Sequence, residues 1–278
     1  MHTMKKRIKK EKAGVFERPS FRIKKEHGQH FLRDQSVVDH MIQAVSTNKN
    51  SSIFEIGVGD GFLTRSIVDQ CRFERFWAFE IDPEWAGHVQ KLVKDSRFVL
   101  HQQDFLTCDF AQFEPYKPWI ILANLPYNIS FPILHLFAKY HHLLQEGVVM
   151  VQEEVAQKLV SSGGSTFGYV ALFFQRYFDL KLLDKIKPSA FVPPPKVTSR
   201  LVYLKPKKQI IDIPDEEGFW HFIRLCFKQP RRTLKNNLGQ SHYDISSVNE
   251  ESLALRPQQL MMTDFLNLWD ILKPKQEI

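Results

Sequence analysis

From Ser51 onward, short apolar runs alternate with stretches whose apolar residues recur at helical spacing. Ser52 to Ile56 (SIFEI) is a short apolar run that ends in a glycine-rich turn, and Phe62 to Cys71 follows with a helical period. Arg75 to Ile81 (RFWAFEI) predicts a second strand, and Glu84 to Lys94 a helix with Pro83 near its start. Phe98 to Gln102 predicts a third strand, and Trp119 to Ala123 (WIILA) a fourth, which runs into Asn124-Leu125-Pro126-Tyr127. Phe131 to Tyr140 has helical spacing, and Gly147 to Gln152 (GVVMVQ) predicts a fifth strand. Apolar runs of strand length separated by helical periods imply βα units. The fold class is therefore α/β, with a mostly parallel sheet covered by helices on both faces. In such sheets ligands bind outside the carboxyl ends of the strands.

Pro193-Pro194-Pro195 interrupts the chain before one more strand, Thr198 to Leu204, and a Lys/Pro link follows over Lys205 to Lys208. Beyond it, residues 215–278 carry helical patterns and little strand signal. The predicted organisation is a basic arm over 1–20, an α/β domain over 21–205 and a small helical domain over 206–278. No internal repeat is evident.

Bulk composition narrows the function classes. With 278 residues, 43% hydrophobic and 25% charged, the chain suits one full-sized and one small globular domain rather than global disorder. No apolar run approaches the roughly 20 residues that span a bilayer, and the basic N-terminus lacks the apolar core of a secretory signal. The expectation is a cytoplasmic monomer with no membrane partner. Cys71, Cys108 and Cys226 lie far apart, which argues against a disulfide framework and a cysteine-rich zinc site. The net charge of +7 favours a polyanionic partner. It concentrates in Met4 to Lys12 (MKKRIKKEK) and in Lys228 to Lys235 (KQPRRTLK). Lys228, Arg231, Arg232 and Lys235 are thus candidate phosphate contacts, although charge runs are commonly plain solvated faces.

Candidate chemistry gathers at the predicted strand ends. Glu55-Ile56-Gly57-Val58-Gly59-Asp60-Gly61 is a strand-to-helix turn whose glycines let the backbone approach a ligand, but the same loop would suit a dinucleotide or no ligand. Glu80 closes the second strand, where a carboxylate can accept both hydroxyls of a ribose. Asp104 closes the third, where it can accept from an adenine amine. Either acid alone reads equally as a helix cap or a loop residue. Asn124-Leu125-Pro126-Tyr127 closes the fourth. An exocyclic adenine amine is a poor nucleophile, because its lone pair is delocalised into the ring. The Asn124 carbonyl and the backbone carbonyl of Leu125 or Pro126 can accept its two hydrogens and draw the nitrogen toward tetrahedral geometry. Pro126 stiffens the turn, and Tyr127 can stack on an extruded base. Four suitable groups at four successive strand ends outline one cleft.

Gly28-Gln29-His30-Phe31-Leu32, Glu55-Ile56-Gly57, Ala123 to Ser130 (ANLPYNIS) and Pro188 to Val197 (PSAFVPPPKV) together resemble the ribosomal RNA adenine dimethylase family, and within it the KsgA branch. The resemblance runs from about Phe21 to the C-terminal end. It implies a Rossmann-like class I methyltransferase sheet with a small C-terminal helical domain. It implies S-adenosylmethionine as methyl donor, with no metal. It also implies dimethylation of N6 of two adjacent adenosines in the 3′-terminal hairpin loop of small-subunit (16S) rRNA. The partner would be small-subunit rRNA within a ribosomal precursor particle, with a role in ribosome biogenesis. By position, His30, Leu32, Gly57, Glu80, Asp104 and Asn124 would hold the cofactor. Phe191 would sandwich the target base opposite Tyr127. Without the resemblance, Phe191 reads as a core residue and His30 as a surface one. Val58 stands where the family usually has Pro, His30 where Asn is common, and Pro230 where many relatives have Arg. A helix is predicted to begin at Pro230, since proline suits a first turn.

Three other readings compete. The antibiotic-resistance branch methylates one adenine of large-subunit RNA, but it usually carries Ile in the Asn-x-Pro-Tyr motif and lacks a Pro-Pro-Pro run. A non-catalytic assembly or transcription factor could share the fold, but it need not keep an intact cleft. A dehydrogenase would have no use for Asn-Leu-Pro-Tyr, and no nicotinamide site is visible.

Overall fold

A strand that is apolar at every position needs cover on both faces, and such strands occupy the middle of the sheet. The computed structural model describes residues 29–273, so the basic arm and Gly28 of the first motif lie outside the described residues. Strands β2 (Ser52–Ile56), β3 (Arg75–Phe79), β4 (Phe98–His101), β5 (Trp119–Asn124), β6 (Leu144–Gln152), β7 (Phe178–Ile186) and β9 (Ser199–Pro206) form one sheet in the order β4-β3-β2-β5-β6-β9-β7. The five strands from β4 to β6 are parallel, and β9 runs antiparallel to both β6 and β7. All five residues of β2 are buried. Neighbours along it face opposite ways: Ile53 joins a core with Phe76, Ile120 and Val148, while Phe54 joins another with Trp77, Phe79 and Ile121. Each fully buried Phe or Ile contributes about 1.5–3 kcal/mol of transfer free energy.

Helices α2 (Phe62–Gln70), α3 (Pro83–Leu92) and α4 (Ser130–Lys139) follow their strands as the pattern predicts. Pro83 occupies the first turn of α3, and the Asp82 side chain caps it by accepting from the Glu84 N–H at 3.0 Å. Four further elements add to those predicted: α1 (Gln35–Gln43), α5 (Glu153–Val160), α6 (Tyr169–Tyr177) and β7. Two-residue strands β1 (Phe31–Leu32) and β8 (Phe191–Val192) pair antiparallel beside the main sheet, with Leu32 opposite Phe191.

The helical part comprises α7 (Glu216–Cys226), α8 (Leu234–Leu238), α9 (Glu250–Ala254) and α10 (Met262–Leu272). Its core is aromatic, with Phe219, Phe222 and Phe265 each fully buried. That core also takes in Phe167, Ala171 and Leu172, and Phe173 packs against both it and the sheet's core. Helix α6 is therefore shared, so no single cut near residue 205 separates two cores. The expected link over Lys205–Lys208 is also shorter, because Lys205 and Pro206 belong to β9. Arg176 on α6 ties the parts together, donating to Glu216 at 2.6 Å and to the Ile211 carbonyl at 2.9 and 3.0 Å. No helix starts at Pro230. It lies in the turn between α7 and α8, and α8 begins at Leu234 with Thr233 as its cap. Asn237 holds that turn by accepting from the Gln229 N–H at 2.9 Å and donating back to the Gln229 carbonyl at 3.1 Å.

Candidate active site

The carboxyl ends of β2, β3, β4 and β5 open into one cleft. His30, Leu32, Gly57, Glu80, Asp104, Asn124, Leu125, Pro126 and Tyr127 all line it. The turn after β2 brings backbone rather than side chains to its floor. Gly57 and Gly59 adopt φ of 74° and 53°, a region costly for residues with a Cβ. A Cβ on Gly59 would also lie 2.9 Å from the Phe31 ring, too close to fit.

Glu80 follows directly on β3. Its Oε2 accepts from the Gly59 N–H and its Oε1 from the Asp82 N–H, both at 2.9 Å. Each carboxylate oxygen can accept more than one bond, so the side chain braces the glycine turn and still presents acceptors to the cleft. Burial pushes its pKa up, against backbone hydrogen bonds, those from Asp82 and Gly59 foremost, that pull it down. Asp104 caps a short 3₁₀ turn, its Oδ1 accepting from the Leu106 N–H at 2.9 Å. The bland capping reading of Asp104 is thus true of one oxygen, and it leaves the other for a ligand.

At the end of β5 the Asn124 Nδ2 donates to the His30 carbonyl at 3.2 Å, which leaves Oδ1 as an acceptor. The Pro126 carbonyl already accepts from the Ile129 N–H at 3.2 Å and the Ser130 hydroxyl at 3.0 Å. Among the described residues the Leu125 carbonyl accepts no such bond. Of the two backbone acceptors considered for a bound amine, the structure therefore leaves Leu125. The Tyr127 hydroxyl bonds the Ser199 hydroxyl, which fixes the ring, and burial raises the phenol's pKa.

Phe191 requires a correction. It is 2% exposed, belongs to the sheet's core and does not line the cleft. In this structure it opposes Leu32 across the β1–β8 pair and packs in the same core cluster. The ring that faces Tyr127 is His30, stacked with centroids 5.7 Å apart, and its Nδ1 bonds the Pro193 carbonyl at 2.9 Å. Phe191 is thus a core residue, as its sequence context alone suggests, and His30 is half-buried at the cleft.

Two features of the cleft and its wall lie outside those expected from the sequence. Glu55 lines the cleft while 1% exposed. An acid inside an otherwise apolar strand was the available signal. Arg33 pairs with Asp60 and donates to the Leu32 carbonyl at 2.6 Å, tying the N-terminal wall to the glycine turn. Lys228, Arg231, Arg232 and Lys235 are all exposed in and beside the α7–α8 turn. Lys235 also reaches Glu250 at 3.1 Å, a surface pair of small value. Among the described residues no group of three or more His, Cys, Asp or Glu is placed to hold a metal ion, and no helix is long and apolar enough to cross a membrane.

A family model for ribosomal RNA adenine dimethylase matches residues 20–267. The chain belongs to the ribosomal RNA adenine dimethylase family. The ribosomal RNA small subunit methyltransferase A of Prosthecochloris aestuarii is 34% identical over 91% of this chain and 95% of its own length. Its counterpart from Coxiella burnetii is 31% identical over 90% and 98%. The fold agrees with family structures. A dimethyladenosine transferase from Plasmodium falciparum superposes with a TM-score of 0.75 at 21% identity, over 87% of this chain and 97% of that one. The 23S rRNA methyltransferase ErmE superposes with a TM-score of 0.65 at 22% identity, over 88% and 100%. The α/β sheet described above is thus the class I methyltransferase sheet of this family, carried by an enzyme with a helical C-terminal part.

Proposed function

We propose that this family member uses S-adenosylmethionine to dimethylate N6 of two adjacent adenosines in the 3′-terminal hairpin loop of small-subunit rRNA, within a precursor particle. The observation that carries the reading is the acceptor pair at the end of β5. Asn124 is turned by the His30 carbonyl so that Oδ1 accepts, and the Leu125 carbonyl stands beside it with its lone pairs uncommitted. Two acceptors suit the two hydrogens of an exocyclic amine. Accepting both withdraws the nitrogen lone pair from the ring and makes it nucleophilic. After one transfer a single hydrogen remains, so one acceptor then serves the second.

The cleft's residues suit the cofactor: buried acids, a backbone floor without side chains, and apolar walls from Leu32, Ile81 and Leu106. Glu80 would hold the ribose hydroxyls, Asp104 the adenine amine, and the Gly57 turn with His30 and Asn124 the methionine end. When bound, the cofactor supplies a methyl group made electrophilic by its sulfonium. Tyr127, fixed through Ser199, offers a stacking surface for a base extruded from a single-stranded loop. The exposed Lys228, Arg231, Arg232 and Lys235 would contact phosphates.

The direct test incubates the protein and cofactor with small-subunit particles from cells that lack it, followed by mass spectrometry of rRNA nucleosides. The expected product is N6,N6-dimethyladenosine in small-subunit rRNA. Monomethyladenosine alone after long incubation with excess cofactor, or modification of large-subunit rRNA instead, overturns the reading. The small-subunit designation of the relatives from Prosthecochloris aestuarii and Coxiella burnetii, together with Leu125 and Pro193–Pro195 of this chain, supports the small-subunit choice.

A further inference from the structure

Glu55 is the penultimate residue of β2, level with Ala78 of β3. It sits beneath the glycine turn, 1% exposed, yet it lines the cleft. Among the described residues its Oε2 has no hydrogen-bond partner. Thr64 on α2, itself fully buried, is its polar neighbour and steadies the charged form, although the Thr64 hydroxyl completes no hydrogen bond of normal geometry. The charged groups facing Glu55 are acids, Glu80 beyond β3 and Asp60 in the turn. Asp60 is engaged by Arg33, and His88 on α3, which senses Asp60, is held toward its neutral form by burial. Among the described residues no cation is committed to this carboxyl, so its protonated form is favoured: burial, the largest influence, pushes its pKa well above the usual carboxylate range, Glu80 and Asp60 push it the same way, and only the Thr64 hydroxyl opposes them.

A buried acid with an orphan oxygen costs stability that well-packed apolar atoms would not. It serves a ligand whose own charge changes the balance. We propose that Glu55 is the counter-charge for a cationic cofactor and gives up its carboxyl proton to solvent as the sulfonium ligand binds. The O–H bond of the acid breaks, the proton passes to buffer, and the carboxylate left behind faces the ligand's positive charge. The inference rests on the cofactor reading above. It adds that binding is linked to a proton, and that the site tells the charged cofactor from its neutral thioether product. S-adenosylhomocysteine lacks the sulfonium charge, so it draws out less of the proton and binds with a shallower pH dependence.

The sign follows from linkage. Low pH keeps Glu55 protonated and opposes the cation. Affinity for S-adenosylmethionine therefore rises with pH, by up to about tenfold per unit while the free site is protonated. Isothermal titration of the full chain at neutral pH, in phosphate and in Tris, reads the linked protons from the difference in heat. The expected result is release of about one proton per S-adenosylmethionine, a smaller release with S-adenosylhomocysteine, and loss of the difference in Glu55→Gln. Gln is isosteric with the neutral acid, and a melting curve checks that it folds. Equal heats in both buffers, with binding evident, overturn the proposal, as does undiminished proton release in Glu55→Gln. Should the variant fail to fold, the wild type decides by itself: equal pH slopes for the two ligands overturn the proposal, and a steeper slope for S-adenosylmethionine supports it. Absence of any binding heat in the wild type is a different result, which removes the cofactor reading and this inference with it.

Discussion

Two buried polar residues, Glu55 at the cleft and Asn237 in the helical part, are treated in opposite ways. Asn237 is 6% exposed, and its amide donates to the carbonyls of Gln229 and Thr233 at 3.1 and 3.2 Å while its oxygen accepts from the Gln229 N–H. It is a clamp, satisfied within its own turn. Glu55 is buried more deeply and left with an orphan oxygen. The surroundings differ in the same sense. The helical part encloses an aromatic core and carries its cations outside, whereas the cleft draws acids inward and carries backbone at positive φ. The satisfied amide in the helical part holds shape, and the orphan oxygen of Glu55 at the cleft is open to a ligand.

Substitutions should separate the two regions cleanly. The largest effect is expected from Phe219→Ala, which empties a fully buried site in the helical core. It should cost about 3–5 kcal/mol in a denaturant titration. The comparison breaks if cofactor affinity in the surviving folded protein falls as well. Next comes Asn124→Ala, which should reduce methyl transfer by about 100- to 1000-fold, as for loss of a preorganised polar group that acts on the reacting atoms. Circular dichroism and melting should stay at wild-type values; a comparable loss of stability would make Asn124 a structural residue. Glu80→Ala is expected to weaken cofactor binding by about 1–3 kcal/mol in isothermal titration, since a ribose would lose its acceptor. Unchanged affinity would confine Glu80 to bracing Gly59 and Asp82.

The smallest and most selective effect belongs to the surface. Arg231→Ala with Arg232→Ala should weaken RNA binding and flatten its salt dependence, by roughly 0.7 to 0.9 in slope per lost phosphate contact. Cofactor affinity should not move. An unaltered slope across a salt series would assign these cations to solvent, and would leave α7 and α8 explained by their buried aromatic and leucine side chains alone.

What could be read in advance depended on how each segment is covered. Strands β2, β3, β5 and β6 lie in the interior of the sheet, so their apolar runs are nearly unbroken and plain in the sequence. Strand β7 is an edge strand, buried only at its two ends and half-buried or exposed between them, and it shifts register between Leu182 and Lys185. Its charges hide the period, and the bulge breaks it. Helix α1 carries a legible signal: Asp34 caps it, and Val37, Val38, Met41 and Ile42 form its buried stripe. Helix α6 serves two cores at once, so its apolar residues cover more of its surface than a simple amphipathic pattern would.

By itself the sequence determined the alternation of strands and helices, the chemistry at four strand ends and, through its motifs, the family. These are local properties, set by apolar period, by turn residues and by short contiguous segments. Three decisions waited for the tertiary structure. Between the carbonyls of Leu125 and Pro126, the choice turned on where the Ile129 and Ser130 donors fall once α4 has formed. Phe191 went to the core because β8 pairs with β1, a contact between segments about 160 residues apart. Glu55 became an acid with an orphan oxygen because the fold brought Asp60 and Glu80 toward it, while Arg33 arrived already committed to Asp60. Each depends on which groups meet across the fold, and a hydrogen bond or a charge is satisfied or orphaned only when distant segments have taken their places.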